Sequence, residues 1–154
     1  MAMSERTLLI CYDGSDDAKQ AIARAAPLFP GRTAIVLHVW EPLKDAASVP
    51  PVPGLHGALE AGLMEMDQIG EDVSRRTAEE GAKLATSAGF EAEPSSVCAP
   101  GRAWRNILRF AREHDVDAIV IGRRGLGGAE RALIGSVSAA VVHHADRPVL
   151  VLPA

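Results

Sequence analysis

Along the chain, short unbroken apolar runs alternate with stretches where apolar residues return every three or four positions. Thr7-Leu-Leu-Ile-Cys-Tyr12 is the first run. Its continuity fits a strand covered on both faces of a sheet, since a half-exposed strand would alternate. Asp13-Gly-Ser-Asp-Asp17 breaks it. Ser15 or Asp16 can cap a helix there, with acids in the first turn. Ala18, Ala21, Ile22 and Ala25 then share one helical face, and Pro27 and Pro30-Gly31 end the helix. Thr33-Ala-Ile-Val-Leu-His-Val-Trp40 is a second buried-type strand.

From Glu41 to about Met64 the pattern lapses. Pro42, Pro50, Pro51, Pro53, Gly54, Gly57 and Gly62 punctuate it. This predicts a long exposed loop over 41–64, with room for a short helical turn near Ala58 to Met64. Either it closes over a ligand or it is a variable insertion. A helix is predicted from about Met66 to Ala88, with Ile69, Val73, Thr77, Leu84, Ala85 and Ala88 inward and Gly89 as its C-terminal cap. Glu91 to Cys98 reads as a third strand, placed at an edge by its polarity and by Pro94. A helix over Ala103 to His114 follows, with Trp104, Ile107, Leu108 and Ala111 inward. Val116 to Ile121 is a fourth strand, Ser136 to His144 a last helix with Val137, Ala140 and Val141 inward, and Pro148 to Leu152 a fifth strand.

Alternation of this kind predicts one α/β domain over 1–154: an open, doubly wound, five-stranded parallel sheet with helices on both faces. The economical order is 3-2-1-4-5. It puts a switch point between strands one and four, where open sheets of this type bind ligands beyond their strand ends. Asp13 closes strand one and Gly122 closes strand four, so the topology brings them together.

Composition narrows the class. With 47% hydrophobic and 23% charged residues the chain is an ordinary globular one. A net charge of −4 offers no general attraction to nucleic acid. No stretch reads as a signal peptide or a membrane span, and the two cysteines, Cys11 and Cys98, suit a reducing compartment. The expected location is the cytoplasm, with no membrane partner. Strand two separates the two cysteines, so no disulfide between them is expected.

The candidate chemistry lies in Ile119 to Val137. An apolar run gives way to Gly122, Gly125, Gly127 and Gly128, and Gly135-Ser136 opens a helix. Glycines let backbone N–H groups approach a ligand, and a helix start adds free donors and a positive dipole end. Together these favour an anion, phosphate above all. No lysine precedes Ser136, so this is not a P-loop, and Glu130 stands where the dinucleotide fingerprint needs glycine.

The spacing that holds is Gly122-x2-Gly125-x9-Gly135-Ser136. It resembles the nucleotide-binding signature of the universal stress protein family, in its ATP-binding branch, and the likeness runs from about Ser4 to Leu152. The resemblance implies an ATP-binding regulatory module of the stress response, holding ATP or another adenine nucleotide with Mg²⁺ at the phosphates. Asp13 falls where the family has its early acidic ligand residue. Val39 matches a position that contacts the base through its backbone, with Cys11 and Tyr12 beside it. Ile121, Gly122, Arg124, Gly125, Gly135, Ser136, Val137 and Ser138 complete the implied binding set. The family pairs as homodimers through the fifth strand. Here Val149-Leu-Val-Leu152 is an apolar edge that needs covering, which predicts antiparallel pairing of two copies.

Each residue also has a plainer reading. Asp13 can be a turn or cap residue, and Ser136 a simple N-cap. One of Arg123, Arg124 and Arg131 can neutralise phosphate, or all can form a solvated loop face. His38 reads as a satisfied strand histidine. His143-His144 suits the negative end of a helix, with no metal partner at a workable spacing. Catalytic signals are missing: no G-x-S-x-G elbow, no nucleophile paired with a base, no phosphate-loop lysine. Hydrolysis, if any, should be slow. A slow ATPase or nucleotidyl-transfer enzyme, and an interaction module with a vestigial pocket, are the competing readings.

Overall fold

The computed structural model describes residues 7–42, 54, 56–125 and 134–153. In chain order these form β1 (Thr7–Cys11), α1 (Asp16–Ala25), β2 (Thr33–Trp40), α2 (His56–Ser87), β3 (Glu91–Cys98), α3 (Ala103–Glu113), β4 (Ala118–Gly122), α4 (Ser136–His144) and β5 (Val149–Leu152). The strands make one parallel sheet in the order β3-β2-β1-β4-β5. The doubly wound α/β architecture expected from the pattern is the one observed, with β3 and β5 at the edges.

Alternate residues of the central strands feed two cores. Leu8 and Ile10 of β1 and Ala34 and Val36 of β2 face α1 and α2, where Ala21, Ile22, Ala82 and Ala85 meet them. Leu9 and Cys11, with Ile35 and Leu37, face the other way onto Ile107, Leu108 and Ala111 of α3 and Val141 of α4. Leu9, Ile10, Ala34 and Val36 are fully buried, which explains why these strands lack polar alternation. Ser15 caps α1 by accepting a 3.2 Å hydrogen bond from Ala18 N–H.

α2 departs from expectation in two ways. It begins at His56, so the short helical turn expected near Ala58 to Met64 is part of one continuous helix. Gly57 and Gly62 are tolerated because they sit in the exposed first half of a long helix, and a glycine there costs only about 1 kcal/mol. The remainder of the expected 41–64 loop, residues 43–53 and 55, lies outside the described residues. The inner face is also different. Ser74, Ala78, Gly81, Ala82 and Ala85 are buried, whereas Ile69 is 58% and Val73 56% exposed. Small residues face inward because the helix runs close over large side chains already on the sheet. A Cβ at Gly81 would stand 2.6 Å from Tyr12 Cδ1 and 2.8 Å from Val36 Cγ1. Ser74 hydrogen-bonds Ser96 of β3 at 2.7 Å across the same seam. α4 likewise buries Ser138 and Val141 rather than Val137. Among the described residues no helix is long and apolar enough to cross a membrane.

Candidate functional site

Because the strands are parallel, β1, β2 and β4 all end on one side of the sheet, and a cavity of about 540 Å³ lies there. All twelve residues singled out from the sequence line it. Cys11, Tyr12 and Asp13 come from the end of β1, Val39 from β2, and Ile121, Gly122, Arg124 and Gly125 from β4 and the loop beyond it. Gly135, Ser136, Val137 and Ser138 come from the start of α4. Leu37, Ala103 and Ile107 add apolar wall. Gly127, Gly128 and Arg131 lie outside the described residues.

Two glycines are required by close approach. A Cβ at Gly122 would stand 2.9 Å from the backbone carbonyl carbon of Asp17, so β4 ends directly against the start of α1. A Cβ at Gly125 would stand 2.5 Å from Asp13 Oδ2. The carboxylate at the end of β1 and the glycine loop therefore meet, as the strand order requires. Asp13 Oδ1 also accepts a 3.0 Å hydrogen bond from Ser15 N–H, so the ligand and turn readings of Asp13 are compatible.

The helix start is open. Gly135 is the N-cap of α4 and no side chain caps the helix. Gly135 N–H donates to Arg123 O at 2.7 Å, and the first intrahelical bond runs from Ala139 N–H to Gly135 O. The N–H groups of Ser136, Val137 and Ser138 thus belong to the first turn, where the helix itself offers no carbonyl to accept them. Ser136 is the first helical residue and exposed, not the cap. The Ser138 hydroxyl donates to Gly122 O at 2.8 Å, so the donor it leaves for a ligand is its backbone N–H.

Arg124 is anchored rather than free. Its backbone N–H and its Nε both point to Asp17 Oδ2, at 3.1 and 3.4 Å. Asp17 is buried in the first turn of α1. Sequence reasoning assigned it only to helix-end electrostatics and missed that it holds the glycine loop from the adjoining start of α1. His38, read as a satisfied strand histidine, does pair through Nδ1 with Tyr12 O at 2.8 Å. It also borders the cavity.

Burial at the β1 end keeps Cys11 and Tyr12 neutral. Burial, reinforced by the Asp13 carboxylate, pushes the Cys11 thiol up to about 12. Burial also raises the Tyr12 phenol above its usual value, with its hydrogen bond to Glu80 Oε1 at 2.6 Å as the next contribution. Asp13 is the only acid among the described lining residues, and no lysine is among them. Among the described residues no group of three His, Cys, Asp or Glu side chains is placed to hold a metal by itself. The arrangement offers an apolar slot at the strand ends, one carboxylate, and backbone donors at the far side.

The chain matches the universal stress protein family over residues 5–153. A universal stress protein of Thermus aquaticus is 32% identical over 149 residues, covering 96% of this chain and 98% of the relative. Among solved structures, hypothetical protein MJ0577 superposes with a TM-score of 0.75 at 21% identity, covering 97% and 96% of the two chains. The universal stress protein from Archaeoglobus fulgidus in complex with dAMP gives 0.61 at 22% identity, covering 96% and 97%. Two further proteins of this fold were solved with cAMP and with AMP. Sequence match, strand order and glycine spacing agree: the chain belongs to the universal stress protein family.

Proposed function

We propose that the cavity binds an adenine nucleotide, ATP with Mg²⁺ at its phosphates being the physiological form. The carrying observation is the convergence of Asp13, Gly125 and the uncapped start of α4 on one cavity. Its volume of about 540 Å³ suits a nucleotide-sized ligand. The base fits the apolar slot made by Cys11, Leu37, Val39 and Ile107, where Val39 can offer its backbone. Asp13 suits a ribose hydroxyl or an amine. The phosphates belong at the glycine loop and the first turn of α4, where the helix dipole favours negative charge. Mg²⁺ binds mainly to phosphate oxygens and water with one or two carboxylates, and a single acid beside the phosphates is compatible with that. The relatives of this fold solved with dAMP, cAMP and AMP support the nucleotide class.

The role we infer is a regulatory nucleotide-binding module acting in the cytoplasm, working as a homodimer through β5. Any hydrolysis there is expected to be slow, since no lysine is among the described lining residues to hold the phosphates.

Calorimetry with ATP, ADP and AMP tests the reading. A side chain at Gly125 must displace Asp13, so Gly125→Val should weaken binding at least tenfold while circular dichroism stays unchanged. Asp13→Ala should weaken it less and equally for all three nucleotides. Wild-type protein that takes up no adenine nucleotide at millimolar concentration would leave the vestigial-pocket reading standing. Phosphate release well above that of Ser136→Ala would favour the slow ATPase.

A further inference from the structure

A second concavity lies behind the first, on the outer face of α3. It has a volume of about 490 Å³ and is lined by Arg102, Arg105, Arg109 and Arg112, with Trp104 and His144 at its wall. No acid is among its described lining residues. The four arginines recur at helical spacing along one face, in a line roughly 15 Å long at 1.5 Å per residue. The whole chain carries a charge of −4, yet the span 102–112 holds four cations and no anion.

Two of these guanidinium groups are held in place. Arg105 lies over the Trp104 ring, 5.2 Å from its centroid, and Trp104 is stacked in turn on His144 at 4.4 Å. Arg109 donates to Asn106 Oδ1 at 2.8 Å. Two acids border the groove without lining it: Glu113, 3.8 Å from Arg109 Nε, and Asp146, which pairs chiefly with Arg147 and feels Arg112 as a lesser influence. Glu113 offsets Arg109 in part and Asp146 is engaged by Arg147, so the stripe keeps a net positive charge. Like charges aligned on a helix are mildly destabilising, so the fold has no need of this arrangement. Arginine, with its planar fork, is suited to bidentate contacts with phosphate oxygens.

We propose that this groove is a binding site for a linear chain of phosphates, such as inorganic polyphosphate or the tail of a nucleoside polyphosphate. The chain runs along α3, with successive phosphates meeting Arg102, Arg105, Arg109 and Arg112. The site is separate from the glycine-loop cavity, which uses the opposite face of α3 through Ala103 and Ile107.

Calorimetry with inorganic tripolyphosphate on the intact chain tests this. Arg105→Ala/Arg109→Ala should bind tripolyphosphate at least tenfold more weakly. Arg75→Ala/Arg76→Ala removes the same charge from the exposed face of α2 and should leave the affinity unchanged. Saturating AMP should not displace the probe. The comparison of the two double variants locates the probe whether or not AMP binds. Equal affinity for tripolyphosphate and adenosine tetraphosphate identifies the phosphate chain alone as the ligand, whereas tighter binding of the nucleotide in this groove identifies a nucleoside tail. Unchanged binding in Arg105→Ala/Arg109→Ala would overturn the proposal. So would orthophosphate binding as tightly as tripolyphosphate, or displacement of the probe by AMP.

Discussion

Asp17 joins parts of the chain that are far apart in sequence, since its Oδ2 accepts from both the backbone and the side chain of Arg124. Removing it leaves a partly buried guanidinium and a loop amide without their acceptor. Asp17→Ala should cost about 1–3 kcal/mol of stability and weaken nucleotide binding as the loop loosens. Denaturant melts and calorimetry on one variant measure both. The sequence offered only "acid in a first turn" for this residue, because its partner is set by the topology and not by spacing. Cys11 leads to a second expectation. With its thiol raised to about 12 by burial, very little thiolate exists at pH 8. Cys98 is exposed. A thiol reagent at pH 8 should therefore modify Cys98 quickly and Cys11 only on unfolding. The stability due to keeping Cys11 neutral is complete below the ordinary thiol value of 9.0 and is lost as pH climbs from there toward 12.

Among the elements, the strands and the three shorter helices were readable from apolar runs and periodicity, because buried parallel strands and amphipathic helices leave distinct patterns. The glycine spacing was readable for the same kind of reason: only glycine fits where β4 and its loop touch α1 and Asp13. α2 is less legible, because its large periodic residues Ile69, Val73 and Leu84 are exposed and of the expected inner face Ala85 is the residue fully buried. Its seam with the sheet is filled from the other side, by Tyr12 and Val36, leaving room only for Gly81 and its small neighbours. This gives opposite outcomes for one substitution at two places on one helix. Gly81→Ala forces Cβ into the Tyr12 ring and should cost about 1–3 kcal/mol despite better helix propensity. At Gly62 none of the described residues lies within 4 Å of the new methyl group. Gly62→Ala should raise stability by up to about 1 kcal/mol. Thermal melts of the pair check both signs.

On the scale of the whole molecule, β5 is the edge that remains to be covered. Pro148 O and Leu152 O accept from β4, so alternation turns the backbone N–H and C=O groups of Val149 and Val151 outward. Proline is tolerated on an edge where its missing N–H would face away from the sheet. If two copies pair through this strand, Val151→Pro should convert a dimer to a monomer in sedimentation velocity while preserving the fold and nucleotide affinity. A wild-type monomer at high micromolar concentration would contradict the pairing. The order of the strands has one more result. β1 is central, yet its neighbour on one side, β4, is synthesised well after β2 and β3. A nascent chain that has already paired β1 with β2 and β2 with β3 still carries β1 as a bare, strongly apolar margin. That margin invites chaperones, or sister chains on the same polysome, until Ala118–Gly122 emerges to close it.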